Sequence, residues 1–379
     1  MRLADFCEDR PARTGVSIAL LRTRMRKPNP VYRRAVTVIA GCAVVSTISH
    51  AQFHQHNLVS DGSVGADVVD SDLKNPWGMA STGSSPLWVA NQGSSSSTLY
   101  NGSGAKQSLV VSMGIEPTGV VFNSSATDFK IFGQSAASFI FSSRDGSFAA
   151  WNASQGTSAV KIAQEFGRDY TGIGIKSNRL YAADFAGGGL DVYDGEFKFV
   201  SSGTDPSAPS GFAPHGVRVF GNDVFVAYAK PGSAGGFVDR FDLNGGFLAR
   251  VVTDNARLSG AYGMEFAPSS WGSLAGSLLV ASEDTGKINA YDVTTGAFLA
   301  TLQENGQDIT NVGLHSITLG NGGSGGDPET LYLTAGLGGE QHGLLATLNV
   351  VPEPGLMLSF ASGLLLVGKR RKQARKKTG

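Results

Sequence analysis

Residues 262–302 read YGMEFAPSSWGSLAGSLLVASEDTGKINAYDVTTGAFLATL, and this stretch decides the fold. It opens on a turn-like step, Tyr262-Gly263-Met264. Three further apolar runs follow, LLVASED (278–284), KINAYDVTTG (287–296) and FLATL (298–302). Aromatic and β-branched residues alternate with polar ones, and Asp-Thr-Gly and Thr-Thr-Gly punctuate them, which is the signature of strands joined by hairpins. Four such strands in about forty residues make one blade-sized unit.

The same unit recurs along the chain. Its opening step appears as Trp77-Gly78-Met79, Thr118-Gly119-Val120, Thr171-Gly172-Ile173, His215-Gly216-Val217 and Tyr262-Gly263-Met264, with a degenerate sixth copy at His315-Ser316-Ile317. Successive steps lie 41, 53, 44, 47 and 53 residues apart. Each is followed by a second apolar run: LWVANQG (87–93), FIFSSRDG (139–146), LYAADF (180–185), VFVAYAK (224–230), LLVASED and LYLTAGL (331–337). The sixth unit alone lacks a fourth strand of its own. His56-Asn57-Leu58-Val59-Ser60, near the start of the body, is a free strand of the right kind. The expectation is an all-β, six-bladed β-propeller over residues 52–350, closed by that N-terminal strand so that no sheet edge is left open. A seven-bladed ring needs a seventh step, which the sequence lacks.

The two ends read as addresses. Basic residues from Met25 onward precede the apolar run AVTVIAGCAVVSTI (35–48) and the small-residue site Ser49-His50-Ala51, so residues 1–51 are expected to be a leader with a signal peptide. Met25 is a candidate true start. Cys42 ends a lipobox-like Ile39-Ala40-Gly41-Cys42, preceded by a short apolar stretch, and Arg33-Arg34 lacks the flanking residues of a twin-arginine signal. At the other end, residues 351–379 run from Val351-Pro352-Glu353-Pro354-Gly355 through the apolar LMLSFASGLLLVG (356–368) to a basic tail. The apolar segment is short for a stable span of a roughly 30 Å hydrocarbon layer, and its trailing Lys/Arg cluster suits the cytoplasmic side.

Charge and composition exclude several classes. The chain has 379 residues with 31 basic and 31 acidic side chains, but the two ends hold 16 of the basic and 4 of the acidic ones. The body keeps 15 against 27, a net charge of −12, which argues against a nucleic-acid partner. Both cysteines, Cys7 and Cys42, lie in the leader, so the body has no thiolate metal site, Cys nucleophile or disulfide. No phosphate-binding loop, dinucleotide fingerprint or HExxH is present, and neither a cofactor nor a metal set is expected.

The fragments HNLVSD, NPWGMA, LWVANQG, STLYNGSG, PTGVVFN, LYAADF, DVYDG, FVDRFDLNG, YGMEFAP and INAYDVTTGAFLATL together resemble a family of exported bacterial NHL-like propellers, and the tripartite C-terminus resembles the PEP-CTERM sorting signal of Gram-negative bacteria. The resemblance implies a propeller. It also implies passage through the inner membrane with residues 356–368 as a transient anchor, and cleavage near Pro352, Glu353 and Pro354 by a sorting protease. Display at the cell surface or release would follow. It carries no established activity.

Chemistry in a propeller is expected at a mouth of the central channel. The residue before each step, Trp77, Thr118, Thr171, His215, Tyr262 and His315, is the candidate rim. Aromatic faces with hydrogen-bonding neighbours suit polysaccharide, and the first expectation is a non-catalytic module that binds polysaccharide or another exported protein. The plainer reading is that these side chains pack blade against blade. The alternative is a secreted hydrolase or lyase of the lactonase-like propeller kind. It would use His215 and His315, with Glu283, Asp184, Arg144 or His342 as partner, or a central metal. That reading requires imidazoles and carboxylates to converge within a few ångström. Asp145, Asp184, Glu283 and Asp284 are possible Ca²⁺ ligands whose commoner role is turn chemistry.

Overall fold

The computed structural model describes residues 51–351. The expected signal peptide, with Met25 and Cys42, and the expected sorting signal, with Pro352, Glu353, Pro354 and residues 356–368, lie outside the described residues. Among the described residues no helix is long and apolar enough to cross a membrane.

The alternating runs form strands and the Gly-rich punctuation forms the turns, giving an all-β propeller. Five blades are four-stranded and antiparallel, with neighbours in chain order. Their first strands are Pro76–Ala80, Pro117–Phe122, Tyr170–Lys176, Ala213–Phe220 and Ala261–Phe266. The expectation of a six-bladed propeller is corrected: five blades are found, and the sixth unit belongs to a seven-stranded sheet. There Leu314–Leu319, Leu331–Ala335 and Leu344–Val351 follow the blade pattern. With no fourth strand of its own, the unit takes up Gln52–Ser60, antiparallel to Leu344–Val351. The polar hairpin Gln303–Glu304/Gln307–Asp308 and the short strand Val68–Val69 then extend the sheet. Each first strand lies against the first strands before and after it, and Leu314–Leu319 returns to Pro76–Ala80. Large apolar side chains fill the space between sheets, as where Trp88 stacks on Phe139 at 4.1 Å.

The repeated step has a steric cause. Near the axis the backbones of successive first strands almost touch. A Cβ on Gly216 would stand 2.0 Å from the Tyr262 carbonyl oxygen, and one on Gly263 would stand 2.4 Å from that of His315. The pairing register shifts at the step in all six units, a bulge that turns the preceding side chain toward the axis.

Between sheets the propeller also buries charge. Arg250 bridges Asp205 and Asp239, its Nε 2.9 Å from Asp239 Oδ1, while its guanidinium lies 3.7 Å from the Phe237 ring centre. Burial pushes the Asp239 carboxyl up to about 7, because Arg250 only partly offsets the desolvation and Asp205 opposes ionisation. The folded value exceeds the unfolded one, so the native chain holds this proton more tightly. That stability is complete below about pH 4 and is lost as the pH rises toward 7. Asp239→Asn is expected to remove a pH-dependent loss on the order of 2–4 kcal/mol between pH 4 and 8. Urea denaturation of both proteins at the two pH values checks it, and parallel slopes would refute the assignment.

Candidate functional site at one mouth of the channel

The six positions before the steps meet on the axis, where they form a packed plug rather than an open rim. All six are buried. Trp77 stacks on His315 at 4.0 Å and meets Tyr262 and His215 edge-on at 5.4 and 6.1 Å. The Tyr262 hydroxyl donates to the Thr171 carbonyl at 2.9 Å, Thr171 Oγ1 donates to the His215 carbonyl at 2.7 Å, and Thr118 Oγ1 donates to the Tyr170 carbonyl at 2.7 Å. The two threonine bonds tie one first strand to the next, and the Tyr262 bond reaches past Ala213–Phe220 to Tyr170–Lys176. The expected rim of accessible aromatic faces is thereby corrected: the ring faces are occupied by one another.

The plug divides the channel. On one side lies a cavity of about 420 Å³, bordered by the glycine steps, Tyr262 and Arg218. Arg218 is committed there, donating to Glu265 at 2.6 Å and to Thr318 at 3.0 Å. On the other side a cavity of about 160 Å³ is lined by Trp77, Thr171 and His215 of the plug, together with Arg144, Phe185, Lys230, Glu283 and Glu340.

The imidazoles converge on Glu283 at the edge of this smaller cavity, which His215 lines and the fully buried His315 backs. His215 Nε2 is 3.5 Å from Glu283 Oε2, and His315 Nε2 is 3.7 Å from Glu283 Oε1. On each ring Nδ1 lies 3.1 Å from a backbone carbonyl, Ala261 for His215 and Pro76 for His315. A carbonyl only accepts, so Nδ1 carries the proton and Nε2 presents its lone pair to the site. Burial pushes His215 below the ordinary histidine range, against the pull of Glu283. Burial alone would raise Glu283, but the facing imidazoles of His315 and His215 outweigh it and bring its carboxyl down to about 2. Glu283 is thus held as a carboxylate beside two imidazoles whose Nδ1 atoms are already committed.

Glu340 completes the cluster. Its backbone is left-handed, with φ +66°, and so is that of Asn75, with φ +42°. The Asn75 side-chain amide donates to the Glu340 carboxylate at 3.1 Å. Two non-glycine residues in strained conformations, bonded to each other at one cavity, fit a site whose geometry the surrounding fold enforces.

Glu283 and Arg144 of the sequence-level candidates come to the cavity, Arg144 being anchored by Asp169 at 2.8 Å. Asp184 pairs with Arg168 at 2.6 Å and His342 with Asp61 at 2.9 Å, so neither partners the histidines. Asp145 accepts from the Ser147 amide at 3.0 Å within its turn, the role turn chemistry assigns it, while Asp284 borders the cavity. The sequence reading passed over Phe185, Lys230 and Glu340. Phe185, Lys230, Arg144 and Glu283 each follow the last residue of a second strand, the position that faces the mouth, so the first two were as legible as the steps themselves. Glu340 carried no such signal, because it is delivered by the turn after the sixth second strand.

No protein-family model matches the chain. Among curated proteins it is similar to an uncharacterised protein of Acanthamoeba polyphaga mimivirus, 29% identical over 183 residues that make up 44% of this chain and 33% of the relative. It spans about a third to two fifths of the length of the curated relatives it matches. Among solved structures, hydrazine synthase of Kuenenia stuttgartiensis aligns with a TM-score of 0.50 at 16% identity, covering 72% of this chain and 77% of that one. Virginiamycin B lyase from Staphylococcus aureus aligns with a TM-score of 0.48 at 11% identity, over 80% of this chain and 100% of that one. At such identities the likeness is one of fold.

Proposed function

We propose that the protein is an exported, surface-sorted propeller that acts as a hydrolase or lyase on a small polar substrate held in the channel-mouth cavity. The observation that carries this reading is the convergence of His215 and His315 on Glu283, within 3.5 and 3.7 Å, at the edge of that cavity. A neutral imidazole whose Nδ1 is already committed accepts a proton at Nε2, and the neighbouring carboxylate stabilises the imidazolium formed. Arg144 and Lys230 offer positive charge to a carbonyl or carboxylate oxygen, and Phe185 and Trp77 offer apolar surface. Small lactones, esters and uronate-like sugars have that combination of groups. A sugar-stacking, purely binding role has less behind it, because the plug's aromatic faces are covered by each other.

The purified protein is expected to turn over at least one member of a lactone, ester and uronate panel, followed by pH-stat and by ultraviolet absorbance for elimination. Glu283→Gln should lower kcat/KM about 10²–10⁴-fold. An inert wild-type protein, or a variant as active as wild type, would remove the reading.

Delivery rests on the tripartite C-terminus and the leader, with the domain division 1–51, 52–350 and 351–379. In this reading the sorting protease acts near Pro352, Glu353 and Pro354, residues 356–368 hold the inner-membrane intermediate, and the product reaches the cell surface or medium. Mass spectrometry of the chain recovered there should find a terminus near Pro354. A chain intact to Gly379 would contradict it.

A further inference from the structure

We infer that Glu283, His315 and Glu340 bind one divalent transition-metal ion, of the zinc–manganese class, at the channel mouth. The donor atoms of these three side chains lie within 4.8 Å of one another. Two ligands of a tetrahedral zinc, each about 2.1 Å from the ion, stand roughly 3.4 Å apart, so modest rotation of the two carboxylates brings the set to bonding distance.

The second, independent observation is the imidazole itself. His315 is wholly buried, and its Nε2 has no hydrogen-bond partner. At 3.7 Å Glu283 is too far to be one. With Nδ1 donating to the Pro76 carbonyl, Nε2 holds a lone pair directed at carboxylate oxygens that are themselves acceptors. Acceptors facing one another in a buried place need a proton or a metal ion between them. A carbonyl that fixes the tautomer and turns the ring is the support that metal-bound histidines ordinarily have. Glu340 has its own support in the Asn75 amide.

The donor types set the class of ion. One imidazole and two carboxylates, without thiolate, suit zinc, manganese or ferrous iron better than the soft ions, and better than calcium, which prefers an all-oxygen shell of six or more ligands. Three protein ligands leave a position open, and the 160 Å³ cavity gives room for a water or a substrate oxygen there. His215 Nε2, 3.5 Å from Glu283, lies close enough to hydrogen-bond that ligand or to become a fourth donor. The inference revises the expectation of no metal set, and it uses the same side chains as the proposed activity without requiring turnover.

The test is titration of the EDTA-stripped, dialysed protein with ZnCl₂ and with MnCl₂ by calorimetry, with metal content read by mass spectrometry after gel filtration. One equivalent of Zn²⁺ or Mn²⁺ per chain and a raised melting temperature are expected. Glu340→Gln, which preserves side-chain size, should weaken binding at least a hundredfold while circular dichroism stays native, and Glu283→Gln should do the same. His56→Ala is the control, because His56 makes an exposed contact with Asp67 at 2.7 Å, where adventitious ions would also bind. Co²⁺ substitution should give a visible absorption band that is lost in Glu340→Gln. Absence of a stoichiometric ion, or binding lost in His56→Ala and kept in Glu340→Gln, overturns the inference. Turnover in a protein that takes up no stoichiometric ion overturns it while leaving the proposed activity standing. A bound ion in a protein without turnover does the reverse.

Discussion

Deletion of residues 52–60 is expected to abolish the native fold, although it removes no residue of the candidate site. This strand pairs with Leu344–Val351 along its whole length, from Gln52 opposite Val351 to Ser60 opposite Leu344. It buries Phe53, Leu58 and Val59. Each of these side chains contributes about 1.5–3 kcal/mol on burial, and their sum alone rivals the roughly 5–15 kcal/mol by which a whole domain is stable. The deletion also leaves the inner part of the seven-stranded sheet with a long unpaired edge, a template for association. Phe53→Ala isolates one part of the effect, since Phe53 packs on Trp271 at 4.7 Å, and should cost about 3–5 kcal/mol. Gel filtration, near-ultraviolet circular dichroism and urea melts read both. A shortened chain that stays monomeric and melts as wild type would show that the seam does not hold the ring together.

Trp77→Ala should be the most damaging single change in the channel, costing about 3–5 kcal/mol. The indole stacks on His315 and meets the rings of Tyr262 and His215, so its removal empties the centre of the plug. It also takes away the surface that sets the angle of the His315 ring, and activity and metal affinity should fall with stability. Trp77→Phe supplies the discriminating comparison. The indole Nε1 has no hydrogen-bond partner, so Phe gives up only volume, and it should keep more than half of the lost stability. If Trp77→Ala cost less than about 1 kcal/mol, the plug would be a loose assembly and the separation of the two cavities would have no energetic basis.

The propeller was legible because its strongest signal is steric. First strands that nearly touch at the axis leave no space for a Cβ at Gly216 or Gly263, and that requirement prints the step into the sequence at blade spacing. The borrowed strand was legible for a related reason, since the sixth unit visibly lacks a fourth strand. The enlargement of that last sheet was not. Gln303–Glu304 and Gln307–Asp308 are two-residue polar strands, and a pattern of alternating burial cannot be read from two residues. At the site, the six plug positions were found from their place in the steps, but the sequence left open whether they line a rim or pack against one another, and they pack. Whether Trp, Tyr and His rings open outward or fold over each other is settled by the channel's width, which no single repeat encodes. The convergence of His215, His315, Glu283 and Glu340 joins positions up to 125 residues apart, from three different repeats, and only the closed ring brings them together.

The seam between Gln52–Ser60 and Leu344–Val351 also sets how the molecule responds to force. Gln52 and Val351 are opposite one another at one end of an antiparallel pair. Tension applied through the chain on both sides of the body therefore reaches the outermost backbone hydrogen bonds first and breaks them in succession, as a zipper opens. The same bonds loaded lengthwise would share the strain and yield together. A molecule held at both ends is expected to give way first along this line, at low force and through small steps.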